Sequence, residues 1–311
     1  MREYKPLDKL KLRSIKSRTS KVDISLFAEP LKKKTSFNNF YNSLPHILAA
    51  RDLRKLVDAI VKAKKRNKMV IFMFGAHVIK CGLSSLLIEL MKKGVVKAIA
   101  INGAGVIHDT EIAMVGKTSE DVDASLKDGS FGMTEESALF INDAIDKGAA
   151  KGHGIGKAVG TEIERAKFPY NDFSILYWGV RLNIPVTAHV AIGTDTIHMH
   201  SSCNGLALGE GALIDFRNFI YSVSKLNGGV VVNFGSAVIL PEVFLKAVSA
   251  SRNLGHKVKD FTTANFDMYR LYRPQENVVR RPTSMGGEGF NFAGHHEIMI
   301  PLLYQAIVEK L

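Results

Sequence analysis

Residues Phe74–Asp109, FGAHVIKCGLSSLLIELMKKGVVKAIAINGAGVIHD, contain the pattern that decides the fold. They read as the end of a strand, a small-residue turn, an amphipathic helix, a second strand and a second small-residue turn. Strands joined by a helix run parallel in one sheet, so both turns are expected at its carboxyl edge. Open parallel sheets bind nucleotides at that edge. The stretch therefore predicts an α/β sheet with a nucleotide site.

The same alternation of helix and strand patterns continues on both sides of this stretch. Met69–Phe74 is a continuous apolar run of strand length, as expected for a strand buried on both faces. A helix over Leu44–Lys65, with Ser43 as its N-cap, is predicted before it. Further helices are predicted at Gly82–Lys93, Glu135–Asp146, Asn171–Leu182, Gly209–Leu226, Pro241–Asn253 and Glu297–Leu311. Further strands are predicted at Lys97–Ile101, Ile184–Ala188, Gly229–Asn233 and Val258–Thr263. Such alternation predicts a doubly wound parallel sheet with helices on both faces.

Two segments lack this pattern. Residues 1–42 are expected to be a basic extension, and residues 43–311 a single α/β domain. Residues 1–34 hold 11 Lys/Arg against 4 Asp/Glu. Since no aromatic residues interleave with those lysines, a solvated tail or a segment that docks on a neighbouring subunit is favoured over nucleic-acid binding. Ala264–Ala293 is predicted to be a long functional loop.

Composition narrows the cellular setting. The chain has two cysteines, Cys81 and Cys203, which excludes a disulfide framework and fits a reducing cytoplasm. No apolar run is long enough for a membrane span, and the N-terminus lacks the apolar region of a secretory signal. We therefore expect a cytoplasmic protein that acts on a small molecule.

Three other constellations are weighed against simpler readings. The glycine-rich run at residues 151–160 follows a helix instead of a strand, so a turn is favoured over a phosphate loop. Cys81 is expected to be a small buried residue more than a reactive thiol. Several histidines and one glutamate could form a metal site, but their spacing matches no standard zinc motif, so no metal is predicted. They are His189, His198, His200, His295, His296 and Glu297.

Six segments, in order, resemble deoxyhypusine synthase over most of the chain from about residue 70. They are AHVIKCGL (Ala76–Leu83), INGAGVIHD (Ile101–Asp109), ILYWGVRLNIPV (Ile175–Val186), HMHSSCNG (His198–Gly205), GGVVVNFGSAV (Gly228–Val238), and TTANFD with YRPQENV (Thr262–Asp267, Tyr272–Val278). The resemblance implies a Rossmann-like fold, NAD as cofactor and a homotetramer with sites at subunit interfaces. It also implies aminobutyl transfer from a polyamine through an imine on an enzyme lysine.

The resemblance assigns roles residue by residue. His200 matches the family's general base, and Glu276 matches an acidic residue that holds the polyamine. Asp195 could match an aspartate on either the cofactor or the polyamine, and the two assignments stay open. The implied cofactor-binding residues are Ala76, His77, Val78, Ile79, Lys80, Asn102, Gly103, Ala104, Asp195, Gly235, Ser236, Gly294 and His295. The implied substrate-binding residues are His108, Asp195, Arg273, Glu276, Arg280 and Arg281.

The departures from the family pattern matter more than the matches. The catalytic lysine falls at about Pro282, and two glutamates of the second loop fall on Ile107 and His108. Neighbouring Arg280 and Arg281 cannot replace the lysine, because a guanidinium stays protonated and forms no Schiff base. Lost carboxylates and gained arginines indicate a more basic pocket, and hence an anionic or less cationic substrate.

The expected function is an NAD-dependent enzyme that oxidises or transfers an aminoalkyl group of a small amine or related substrate without a lysine imine. Direct transfer to a small amine acceptor is one route that remains open. A non-catalytic nucleotide-binding homologue and a metal-dependent hydrolase using the clustered histidines are the alternatives.

Overall fold

The computed structural model describes residues 7–311. Two compact units divide the chain: Asp52–Leu311 forms the larger, and the residues before it the smaller. Within the smaller unit, residues 7–47 contain three short 3-10 turns and one helix, α1. These turns are Leu7–Lys9, Ile15–Ser17 and Ile24–Leu26, and α1 is Phe37–Ser43.

The larger unit is built on a sheet of six strands, all parallel, in the order β3-β2-β1-β4-β5-β6. The strands are β1 Val70–Phe74, β2 Ala98–Asn102, β3 Val186–His189, β4 Val230–Phe234, β5 Thr262–Asp267 and β6 Glu288–Ala293. The chain starts near the middle, winds outward in one direction and then returns to wind outward in the other. The predicted doubly wound, Rossmann-like α/β fold is therefore confirmed.

Helices connect the strands and cover the sheet. They are α2 Leu48–Lys65, α3 His77–Lys80, α4 Ser84–Lys92, α5 Gly103–Val115, α6 Val122–Ser125, α7 Glu135–Ala149, α8 Ile155–Ala166, α9 Ile175–Arg181, α10 Gly205–Ser224, α11 Ile239–Asn253, α12 Tyr272–Pro274 and α13 His296–Val308. Short 3-10 turns at Asn171–Phe173, Thr196–Met199 and Pro282–Ser284 and a π-helix at Gln275–Arg280 complete the connections. Among residues 7–311, no helix is both long and apolar enough to cross a membrane.

The strand sequences explain why the sheet lies at the centre. All five residues of β1 and all five of β4 are buried, because neither strand has a polar face. On one face, Ile71 and Val231 pack against Phe219 of α10 and Phe244 of α11. Burying such large side chains on both faces is the main favourable contribution to this fold.

Several local predictions are wrong. The first long helix begins at Leu48, so Ser43 is not its N-cap but the last residue of α1. Residues 171–182 form a 3-10 turn and a separate helix instead of one helix. The predicted fifth strand, Val258–Thr263, is displaced, since β5 is Thr262–Asp267.

Most of the predicted loop Ala264–Ala293 is regular structure. It includes most of β5, then α12 and the π-helix, and finally β6. The edge strand β6, EGFNFA, was missed because glycine and asparagine interrupt its apolar residues. Pairing with β5, from Thr262 opposite Glu288 to Asp267 opposite Ala293, makes this segment a strand, although its local sequence pattern does not indicate one.

Candidate active site

The sheet changes winding direction between β1 and β4, so the connections after these two strands leave in opposite directions. A crevice at the carboxyl edge is the usual consequence of such a reversal. Small residues follow both strands there: Gly75 and Ala76 after β1, and Gly235 and Ser236 after β4. The predicted loops after β1 and β4 thus lie on neighbouring strands at this reversal.

Two hydrogen bonds hold the turn that follows β4. Asn233 donates from Nδ2 to the carbonyl of Ser236 (3.0 Å), and Ser236 Oγ accepts from the backbone N–H of Leu240 (3.3 Å). Gly235 has φ of 69°, and a Cβ there would collide with Nε2 of His296. Only glycine meets both conditions without strain.

A ladder of amides across three strands supports this edge. Asn233 donates to Asn265 (2.8 Å), Asn265 to Asn291 (3.4 Å), and Asn291 to Gln275 (2.7 Å). Each asparagine is followed by a phenylalanine, and the three rings stack with centroids 5.3 Å and 4.5 Å apart. The signal was visible in the sequence, because the dipeptide Asn-Phe recurs in β4, β5 and β6.

Titratable side chains gather where β1 ends and α13 begins. Cys81 Sγ lies 3.4 Å from Nε2 of His77, and the His77 and His296 ring centroids are 6.0 Å apart. Burial, and then the Glu297 carboxylate, raise the pKa of the Cys81 thiol. Burial, and then His77, lower the pKa of His296.

His296 is the buried member of this group. It is 7% exposed, and its Nδ1 has no hydrogen-bond partner among the described residues. A neutral imidazole buried with an unused nitrogen can accept or donate one hydrogen bond. Of the predicted cofactor-binding residues in this group, His77, Lys80 and His295 are exposed, whereas Val78 and Ile79 are buried in the core.

The predicted loop after β2 differs from the turns after β1 and β4. Asn102 ends β2 and caps α5 by accepting from the backbone N–H of Gly105 (2.9 Å). The Asp195 carboxylate lies against Gly103, where any side chain would collide with it, and it accepts from the backbone N–H of Ala104. An internal carboxylate therefore takes the position that an anion would occupy at this helix start.

Asp195 faces His198. Their side chains are 3% and 5% exposed, and Asp195 Oδ2 lies 3.8 Å from His198 Nε2. His198 Nδ1 accepts from the backbone N–H groups of Gly193 (3.1 Å) and Asp195 (3.4 Å), so the neutral ring carries its proton at Nε2. Burial raises the pKa of Asp195, opposed by His198 and the Ala104 N–H.

Two further buried carboxylates were missed by the sequence analysis. Asp109 accepts from Ser174 Oγ (2.6 Å) and from the first N–H groups of α9. Asp215 accepts from Gly156 N (3.0 Å) at the start of α8 and from Ala188 N (2.9 Å). Burial raises the pKa of Asp109 to about 6 and that of Asp215 to about 7. The sequence signal that could have identified both residues is a single aspartate among the apolar residues of a helix.

His200, the predicted base, is held by Ser202. Its Nδ1 accepts from the Ser202 backbone N–H (3.2 Å) and lies 2.8 Å from Ser202 Oγ, which itself accepts from Asn142 Nδ2 (2.9 Å). This network places the ring proton of the neutral form at Nε2. His200 can therefore donate at Nε2 as it stands, and it can act there as a base only in its other tautomer.

Glu276, the second predicted catalytic residue, is already paired. Its carboxylate accepts from Arg280 Nε (2.7 Å) and lies 3.4 Å from Arg281 Nε. Hydrogen bonding from Arg280 lowers the pKa of Glu276 despite some desolvation. The π-helix brings these residues together one turn apart, and such helices often occur at functional sites.

The remaining predicted substrate residues also have partners within the chain. Arg273 Nε lies 3.3 Å from Glu242, and Arg281 donates to Asn277 (2.9 Å). His108 Nδ1 lies 2.5 Å from Thr118 Oγ1. The N–H of Gly294, a predicted cofactor residue, donates to the backbone carbonyl of Asp267 (3.1 Å) and so fixes the connection from β6 to α13.

The histidines considered for a metal site lie in different environments. His189 is buried on β3 against Phe219 and Thr187, and burial lowers its pKa to about 3. His198 and His200 lie after β3, whereas His295 and His296 begin α13. Across residues 7–311, no three histidine, cysteine or acidic side chains are grouped as they would be around a metal ion.

No protein-family model matches the sequence, and no curated protein sequence matches it. Solved structures do. A conserved protein from Methanococcus maripaludis S2, provisionally assigned as LOR/SDH, superposes with a TM-score of 0.54 at 14% identity, over 94% of this chain and 75% of that one. A protein from Entamoeba histolytica, provisionally assigned as a deoxyhypusine synthase, gives 0.54 at 11% identity, over 91% and 96%.

AgrE, solved as a ternary complex with ornithine and NAD+, gives a TM-score of 0.51 at 16% identity, over 85% of this chain and 34% of AgrE. The chain thus spans about a third of that protein. At these identities the likeness shows the fold alone. The chain is an α/β protein with a Rossmann-like sheet, a fold that in AgrE accompanies bound NAD+. The resemblance to deoxyhypusine synthase is confirmed at the level of fold.

Proposed function

We propose that the chain is an NAD-dependent enzyme that binds its cofactor at the carboxyl edge of the sheet, where the connections after β1 and β4 leave in opposite directions. The observation that carries this proposal is the strand order β3-β2-β1-β4-β5-β6, with small-residue turns after both strands at the reversal. Dinucleotides bind across such a reversal.

The helix starts at this edge support the same position. The first turn of α5 already holds the Asp195 carboxylate. At the start of α11, which follows Gly235 and Ser236, Ser236 Oγ accepts from the Leu240 N–H (3.3 Å) and Pro241 has no N–H. The one acidic residue of this first turn, Glu242, is paired with Lys246 and Arg273. Since the Asp195 carboxylate already occupies the start of α5, a pyrophosphate would meet less charge repulsion at α11 than at α5.

The residues present fit a pyridine nucleotide. Gly75, Ala76, Gly235 and Ser236 would let the cofactor approach the backbone, and His296 Nδ1 would supply a hydrogen bond from the buried side. NAD, when bound, supplies a hydride acceptor. His200, held by Ser202, would move the proton that must leave or join the substrate during hydride transfer.

The substrate is an amine or a related small molecule, handled without a lysine imine. Pro282 is buried in a 3-10 turn at the position of the family's lysine, and it offers no amine. Glu276, which would hold a polycation, is neutralised by Arg280 and Arg281. Spermidine is therefore expected to bind weakly, and a less cationic or anionic substrate is favoured. Tight calorimetric binding of spermidine would overturn this part of the proposal.

Titration calorimetry with NAD tests the cofactor site. Ala76→Glu places a carboxylate in the turn after β1 and should weaken NAD binding at least tenfold, about 1.4 kcal/mol. Ala166→Glu makes the same change on the exposed last residue of α8 and should leave binding unchanged. Equal affinities of wild type and Ala76→Glu would contradict the site.

A second experiment separates an enzyme from a nucleotide-binding protein that has lost its chemistry. Mass spectrometry of ligands that co-purify with the protein would identify the substrate. His200→Gln should then abolish turnover of that substrate while NAD binding persists. If wild type binds NAD but converts no co-purified ligand, the non-catalytic reading is favoured, because the lysine position is Pro282.

A further inference from the structure

A second concave site lies at the opposite, amino-terminal edge of the sheet. It is a cavity of about 600 Å³ between α2 and the segments that lead into β1, β4, β5 and β6. Its volume falls in the range of small-molecule sites, roughly 300–1,000 Å³. No residue of the crevice described above lines it.

The helix wall of this cavity is one face of α2. Lys55, Asp58, Lys62 and Arg66 line it, and their spacing of three, four and four residues places them on successive turns of the same face. Lys68, just before β1, adds a cation from the sheet side.

The acidic residues that line the cavity are already paired. Glu288 contacts Lys55 (2.8 Å), Asp58 contacts Lys310 (2.7 Å), and Asp260 lies 4.0 Å from Lys259. A carboxylate so neutralised contributes little negative potential to the cavity.

Lys62, Arg66 and Lys68 have no acidic partner within the described part of the chain. A lysine in the last turn of a helix is stabilised by the helix dipole, which accounts for the position of Lys62 in α2. Lys68 lies outside the helix and is not explained in this way. Lys62 and Arg66 are exposed and Lys68 is half-buried, so all three charges face the concavity and are accessible to an anionic ligand.

We propose that this cavity binds a small ligand carrying two or more phosphate groups. The Arg66 fork can hold a phosphate in two-point contact, and Lys62 and Lys68 supply point charges for a second group. A bounded cavity with no aromatic residue in its lining suits such a ligand better than a nucleic acid strand, which needs an extended track and stacking surfaces. Free polyphosphate and a nucleotide share this chemistry.

Calorimetry on the full chain with sodium tripolyphosphate, ATP and adenosine tests the proposal. Tripolyphosphate and ATP should bind with affinities within a few-fold of each other, and adenosine should not bind. The triple variant Lys62→Gln, Arg66→Gln, Lys68→Gln should lose at least tenfold in affinity for tripolyphosphate. Circular dichroism checks that it is folded.

The matched control removes the same charge elsewhere. Lys147→Gln, Lys151→Gln, Lys157→Gln changes exposed lysines in the α7–α8 region, away from the cavity lining, and should retain binding. Equal losses in both triple variants would overturn the proposal, because net charge alone would then explain binding. So would the absence of tripolyphosphate binding to wild type, binding of ATP alone, or a clear preference for an RNA oligonucleotide.

The site is independent of the proposed cofactor crevice. Ala76→Glu should weaken NAD binding and leave tripolyphosphate binding intact, and the cavity triple variant should do the reverse. If NAD loses affinity in the cavity variant instead, its pyrophosphate is bound at this edge, which would contradict the cofactor crevice and support the cavity.

Discussion

Asp195 and His198 form a buried pair in which Oδ2 and Nε2 lie 3.8 Å apart, and neither atom has a hydrogen-bond partner among residues 7–311. The carboxylate is also anchored on the first turn of α5 through Ala104. The pair thus connects the segment after β3 to the helix after β2. The resemblance matches Asp195 to an aspartate on the cofactor or the polyamine, whereas in the folded chain its carboxylate is buried between α5 and His198.

Asp195→Ala should lower the free energy of unfolding by about 1–2 kcal/mol, because α5 loses the acceptor and negative charge at its start. Urea denaturation measures this. Asp143→Ala, which removes only an exposed ion pair with Lys147, should cause a much smaller change. Equal effects of the two substitutions would show that Asp195 does not anchor α5.

Gly235→Ala should destabilise the protein more than Gly255→Ala does. Both glycines have positive φ, so each substitution costs about 1–2 kcal/mol of backbone strain. Only at Gly235 would the new Cβ also collide with His296, whereas Gly255 has open space around it. Thermal denaturation compares the two, and Gly235→Ala with His296→Ala should recover the difference. Equal melting temperatures of the single variants would contradict this packing.

Asn265→Leu should break the amide ladder and cost about 1–3 kcal/mol, because one N–H of the buried Asn233 loses its acceptor and the half-buried Asn291 loses a donor. The exposed Asn218→Leu is the control and should be near neutral. Chemical denaturation provides the free energies. If Asn265→Leu is also neutral, the ladder contributes nothing to stability.

The pH dependence of stability should differ between wild type and Asp215→Asn. The folded-state pKa of Asp215, about 7, lies above its ordinary value of 3.8, so the folded protein holds this proton more tightly than the unfolded chain. The free energy of unfolding therefore falls as pH rises from about 4 to 7, by at most about 1.4 kcal/mol per pH unit.

Asp215→Asn removes this titration, so the stability advantage of wild type over the variant should shrink as pH rises through that window. Denaturation at pH 4.5, 5.5 and 6.5 measures the difference. An advantage that stays constant across this window would mean that Asp215 is already ionised there, held in that form by the N–H groups of α8 and Ala188.

The central strands were predictable because their local signal and their tertiary role agree. Met69–Phe74 is apolar at every position, and the structure buries β1 on both faces. The edge strand β6 was not predictable in this way, since EGFNFA has a mixed pattern and becomes a strand only by pairing with β5. The helix start at Gly103 was read as a turn for a similar reason, because two glycines conceal a helix that Asn102 caps.

The candidate site was predicted as a set of loops, and their arrangement followed only from the folded chain. Spacing identified the turns after β1 and β4, but no sequence pattern shows that Asp195, far along the chain, fills the start of α5. Nor does it show that Arg280 and Arg281 neutralise Glu276, since that pairing depends on the π-helix.

By itself, the sequence determined the fold class, because apolar strand runs alternating with amphipathic helices can bury their surfaces only as a parallel sheet between helices. Through its resemblance to deoxyhypusine synthase, it also predicts Pro282 at the position of that enzyme's imine-forming lysine. The tertiary structure alone decided the strand order, the reversal between β1 and β4, and which charges are left unpaired. These depend on contacts between residues distant in sequence, which local pattern does not encode.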